Sequence, residues 1–169
     1  MIYFLVNNNY HFLDVLDHCN KIKLYDKSLI QIPHTLDKIE KNDLFTKIYY
    51  FDTPFKKLKE YFNIIKVKKA EEEINAQLAV QETDILFLYT EHEVLNQYVI
   101  EKFKYVGARV YVIDDGGFAT YLTYSVKSDK VLPIKASIKL FFLKYILGYR
   151  YLEFLYYNKL IFPQIKEKY

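Results

Sequence analysis

Three runs of strand length, IYFLV (2–6), DILFLYT (84–90) and ARVYVI (108–113), are apolar along nearly their whole length. A strand with one wet face alternates apolar and polar residues. A near-continuous run predicts a strand covered on both faces, and that requires a layer above and a layer below the sheet. Between these runs lie stretches with helical spacing. Phe12, Leu13, Leu16 and Cys19 recur after the first run, and Val94, Leu95, Tyr98, Val99 and Phe103 recur after DILFLYT. Gly107 follows the second stretch, where a left-handed residue would end the helix.

The intervening chain fits the same alternation. SLIQIP (28–33), closed by Pro33, and TKIYYFD (46–52) are predicted as further strands. Pro54 suits the first turn of a helix running to about Phe62. NIIKV (63–67) is expected to form a short strand, and KKAEEEINAQLAVQE a solvated helix with Ile74 and Leu78 facing inward. Repeated strand–helix units predict an α/β fold, a parallel sheet flanked by helices. One such domain is expected over residues 1–133.

Residues 134–169 change character. IKASIKLFFLKYILGYRYLEFLYYNKLIF is aromatic and aliphatic almost all round a helix, with basic residues interleaved. The formal charge of +3 is unevenly held: residues 1–134 carry 17 Lys and Arg against 19 Asp and Glu, whereas residues 135–169 carry seven against two. Positive charge confined to a tail does not fit a nucleic-acid protein, which spreads it along a face. The tail is expected to be a helical segment that meets a second domain, a second copy as a homodimer, or an anionic membrane surface.

Other classes are excluded more directly. The single cysteine rules out an internal disulfide and a cysteine-rich zinc site, and four scattered histidines make no metal cluster. There is no G-x-G-x-x-G and no G-x-x-x-x-G-K-[ST], so neither a dinucleotide enzyme nor a P-loop ATPase is expected. No basic region precedes the opening apolar residues, and polar NNN follows after six. No apolar run approaches the roughly 18 residues of a spanning helix. A cytoplasmic location is expected, peripheral at the inner membrane face if the tail binds lipid.

In parallel α/β sheets the ligand crevice lies beyond the carboxyl ends of the strands. Asn7, Asn8, Asn9 and His11 follow the first predicted strand, His34 the second, and Asp52 the third. Glu91 and His92 follow DILFLYT, and Asp114, Asp115, Gly116 and Gly117 follow ARVYVI. DDGG reads equally as a tight turn, since aspartate and glycine are turn residues. At the tip of a buried strand it also reads as a site: a carboxylate on a rigid element, ahead of glycines that let a substrate approach. Adjacent carboxylates push one pKa upward, which suits a general base. They alternate faces and chelate one ion poorly, so no metal is expected. His11 and His34 read either as ligands for a hydroxyl or phosphate, or as half-buried and helix-start residues. Glu91 and His92 also suit a helix N-terminus. The run EEE (71–73) reads as a solvated helix face, and Cys19 as core.

VYVIDDGG, with the strand–helix pattern before it, resembles the amino-terminal Rossmann-like half of bacterial GT-B glycosyltransferases. The nearest are the sialyltransferases of glycosyltransferase family 52 and the polysialyltransferases. Their D/E-D/E-G motif is matched by Asp114, Asp115 and Gly116. The resemblance spans about residues 1–125. It implies metal-independent, inverting transfer of sialic acid from CMP-sialic acid to a glycan acceptor, in capsule or lipooligosaccharide synthesis. No cofactor is implied. Asp114 would be the base that deprotonates the acceptor hydroxyl, Asp115 would support it, and Asn9, His11, His34, Glu91, Gly116 and Gly117 would line the acceptor crevice. The family holds its donor on a second domain bearing a His-Pro motif. This sequence has no His-Pro pair, so the nucleotide sugar is expected on a missing second domain. The alternative reading is a non-catalytic α/β binding or assembly module that uses the basic tail. A glycerophosphotransferase-like enzyme of the same architecture is a third.

Overall fold

The computed structural model describes residues 1–22, 25–52, 64–90, 93–113, 141–146, 148 and 164–165. Six strands, β1 (Ile2–Val6), β2 (Lys27–Gln31), β3 (Lys47–Tyr50), β4 (Ile85–Leu88), β5 (Arg109–Ile113) and β6 (Gln164–Ile165), form one sheet in the order β3-β2-β1-β4-β5-β6. Every pairing is parallel. This is the Rossmann-like order, in which successive strands first step outward on one side of β1 and then on the other. β1 is its centre: all five of its residues are buried, with Leu5 opposite Ile30 on one side and Leu88 on the other.

The helices follow from the handedness of parallel crossovers. A right-handed step from β1 to β2 and one from β4 to β5 run in opposite directions, so their helices lie on opposite faces. The two buried clusters match this. Ile2, Phe4 and Val6 pack with Val15 and Cys19 of α1 (Asn9–Lys21). Tyr3 and Leu5 pack with Val67 and Ile74 of α2 (Ile64–Gln77), and with Val99 and Phe103 of α3 (Val94–Tyr105). On the α1 face a row of rings crosses the strands in register, Phe4 stacked on Phe87 at 5.5 Å and Phe87 on Tyr111 at 5.6 Å. Lys27, Lys47 and Arg109 each begin a strand, putting cations at the amino end of the sheet.

Three expectations are corrected. Residues 64–67 are helical, the start of α2. Val67, Ala70, Ile74 and Leu78 are all buried at helical intervals, and no turn residue separates IIKV from the lysines that follow. Leu13 is 62% exposed; the buried strip of α1 runs through Phe12, Val15, Leu16 and Cys19, the i, i+3, i+4, i+7 positions. Residues 134–169 are not helical throughout, because Gln164–Ile165 pairs with Val112 and Ile113, whereas Phe142–Ile146 forms a π-helical turn. The predicted helix from Pro54 to Phe62 lies outside the described residues.

Gly107 has φ +82°, and its N–H donates to the Lys104 carbonyl at 3.0 Å, closing α3 as the sequence predicts. A Cβ there would also touch Glu82 Cγ at 3.4 Å. Gly107→Ala is expected to lower stability by about 1–2 kcal/mol, the cost of a left-handed non-glycine residue, as a shifted midpoint in urea unfolding. The Cys19 thiol is buried, and burial pushes its pKa up to about 11, as suits a core residue.

Candidate functional site

The strand order reverses between β1 and β4, and the crevice beyond their carboxyl ends is the default ligand site of such a sheet. Asn7 follows β1 directly and is buried at 3% exposure; Asn96, one turn into α3, is fully buried at 0%. Their amides are reciprocally bonded. Asn7 Nδ2 donates to Asn96 Oδ1 at 3.1 Å, and Asn96 Nδ2 donates to Asn7 Oδ1 at 3.0 Å. The second hydrogens are used as well, Asn7 Nδ2 donating to the Ile32 carbonyl at 2.8 Å and Asn96 Nδ2 to that of Thr90 at 2.6 Å. The Asn7 carbonyl accepts from the N–H of His34 at 2.8 Å. The ends of β1, β2 and β4 and the start of α3 are thereby fixed to one another. A glycine-rich phosphate turn has no counterpart here. The β1–α1 turn is Asn7-Asn8, and Asn8 Oδ1 already caps α1 by accepting from the N–H of His11 at 2.9 Å.

Above this pair, His34 Nε2 lies 3.5 Å from Glu93 Oε2, with the two side chains 34% and 24% exposed. Glu93 is the N-cap residue of α3, yet its carboxylate makes no capping bond. It turns towards the imidazole, and the helix N-terminus favours its charge. A carboxylate that orients a half-exposed imidazole can position it to accept a proton from a hydroxyl bound beside the pair.

No family model, curated protein or solved structure matches this chain.

The sequence-predicted residues divide into three groups. His34 stands at the open rim, and Asn9 is exposed as the first residue of α1. His11 is 4% exposed and stacks on Tyr89, with centroids 4.5 Å apart and planes at 10°; this is the buried, helix-start role. Tyr89 in turn donates to Asp14 Oδ2 at 2.7 Å. Glu91, His92, Asp114, Asp115, Gly116 and Gly117 lie outside the described residues; β5 ends at Ile113, immediately before the aspartates in the chain. Glu93, Asn96 and Tyr89 are the residues that sequence reasoning passed over. Asn96 carried a signal, since a polar side chain stands in line with Val99 and Phe103 on the apolar face of α3.

In the sequence, the first five residues after each of β1 to β5 include Asp52, Glu91, Glu93, Asp114 and Asp115. Among the described residues Lys38 also stands at this end, its Nζ 5.5 Å from the Tyr50 ring. A recess of about 730 Å³ lies at the other end of the sheet, between Tyr3, Tyr25, Lys47, Tyr49 and Asp84. Its groups are spent on one another. Tyr3 donates to the Ala79 carbonyl at 3.1 Å, Asp84 holds the terminal ammonium at 2.9 Å, and Lys47 lies over the Tyr49 ring at 4.7 Å. Burial, with Tyr49 adding to it, holds the Tyr3 phenol well above its ordinary pKa. We take the rim as the candidate site. Among the described residues no three His, Cys, Asp or Glu side chains converge to hold a metal ion.

Proposed function

We propose that this chain is the acceptor-binding half of a metal-independent inverting glycosyltransferase of the GT-B type, sialyltransferase-like, in surface polysaccharide or lipooligosaccharide synthesis. The observation that carries this reading is the half-exposed His34–Glu93 pair, at the carboxyl end of a Rossmann-ordered sheet. Phosphates are bound by glycine-rich turns, helix N-termini and cations. The β1–α1 turn holds no glycine, and the Glu93 carboxylate at the start of α3 repels them. A neutral sugar offers hydroxyls that donate to carboxylates and accept from amides, and it carries no charge to be repelled. The nucleotide sugar, CMP-sialic acid in this reading, is held by a second domain. Asp114 is the base for the acceptor hydroxyl, and Asp115, Asn9, His34, Glu91 and Glu93 line the approach.

A thermal-shift titration tests the acceptor assignment. Lactose, a neutral galactoside, is expected to raise the melting temperature, since a ligand at a hundred times its dissociation constant adds about 2.7 kcal/mol. CMP and inorganic pyrophosphate are expected to leave it unchanged. A response to the phosphates and none to the sugar would overturn the reading. The second reading, a non-catalytic binding module, is favoured by the Asn7–Asn96 pair that fills the switch point. It predicts no response to any of the three.

A further inference from the structure

We infer that residues 141–146 dock this chain on the surface of an anionic lipid bilayer. Phe141 is 57% exposed, Phe142 41%, Tyr145 63% and Ile146 60%. Phe141 and Tyr145 are four apart, with ring centroids at 5.0 Å, and Phe142 and Ile146 are four apart beside them. The two pairs make one apolar strip on a turn that also carries Lys144. A folded chain that leaves two phenylalanines, a tyrosine and an isoleucine in water over six residues has a surface built to be covered.

Charge selects what covers it. Residues 135–169 carry a net of +5, whereas residues 1–134 carry −2. A second copy meeting this strip tail to tail would bring like charge against like charge. An anionic bilayer supplies both requirements, an acyl boundary for the rings and phosphates for the lysines. The strip enters the headgroup boundary to a depth of roughly 5–10 Å, and the acidic remainder of the chain stays in water. Among the described residues no helix is long and apolar enough to cross a membrane. This inference does not depend on the glycosyl-transfer reading.

The test is co-sedimentation of the full chain with vesicles of pure phosphatidylcholine and of an equimolar phosphatidylcholine–phosphatidylglycerol mixture. Binding is expected to the mixed vesicles, weakening as salt rises. Phe141→Ser with Tyr145→Ser is expected to abolish it, and Lys144→Ala to weaken it roughly fivefold. Circular dichroism and melting of each variant exclude misfolding as the cause, and both are expected to be unchanged, since Phe141 and Tyr145 are exposed and Lys144 is half-exposed. Equal binding to both vesicles, or to neither, overturns the proposal. So does a dimer that the Phe141/Tyr145 variant converts to a monomer.

Discussion

Replacing Asn96 with alanine is expected to cost about 3 kcal/mol of stability, although the side chain touches no solvent and no hydrophobic core depends on it. The change orphans two acceptors, the half-buried Thr90 carbonyl and the buried Asn7 Oδ1, and it leaves Asn7 Nδ2 with the Ile32 carbonyl alone. Each buried polar group left unpaired costs about 1–3 kcal/mol. For a chain of this length that corresponds to a fall of roughly 6–12 °C in melting temperature. Asn96→Leu separates the two contributions, because it restores the volume and not the hydrogen bonds; a comparable loss is expected. A fall below about 1 kcal/mol in both variants would mean that water replaces the amide, and the pair would lose its place as the clamp of the switch point. The rim should suffer too, since the His34 N–H donates to the Asn7 carbonyl and Glu93 immediately precedes the helix that carries Asn96.

On the proposed glycosyltransferase reading, Asp114→Asn is expected to lower the rate of sialyl transfer to a neutral galactoside by about 10²–10⁴-fold, the range for removing a positioned base. The substitution keeps the shape and removes the proton acceptor, so the melting temperature should hold. Asp115→Asn, on a supporting group, should cost less. The assay uses the gene product with its donor-binding partner or domain and CMP-sialic acid. A rate within tenfold of wild type would remove the base assignment. Sugar binding in the titration proposed above reports on the acceptor crevice separately, so the two claims stand or fall apart.

The architecture was legible because burial on both faces leaves a signature that survives without knowledge of the partners. IYFLV, DILFLYT and ARVYVI became three adjacent strands, β1, β4 and β5. Strand order was not legible, since nothing in the run KIYY says that it takes the edge beyond β2. Residues 63–67 misled because IIKV has β-branched residues and strand length. Only Ala70 and Ile74 further on reveal that its period is helical. At the site, His34 was found because it follows a predicted strand end. Glu93 was missed in favour of Glu91 because two glutamates in EHE differ only in where α3 begins, and the boundary of a helix is the feature a sequence specifies least. The Asn7–Asn96 pair joins residues 89 positions apart. No local pattern could connect them.

The strands all run the same way, and they begin on Lys27, Lys47 and Arg109 and end towards Asp52, Glu93 and Asp114. Among the described residues the sheet thus carries cations at one end, beside Asp26 and Asp84, and carboxylates with Lys38 at the other. On the docking proposed for residues 141–146, a negatively charged leaflet would attract the first end and repel the carboxylates of the second. A five-residue strand is about 17 Å long. On the proposed glycosyl transfer and the proposed docking taken together, a glycan anchored in that leaflet would have to span about the same height before its terminal sugar met the candidate site.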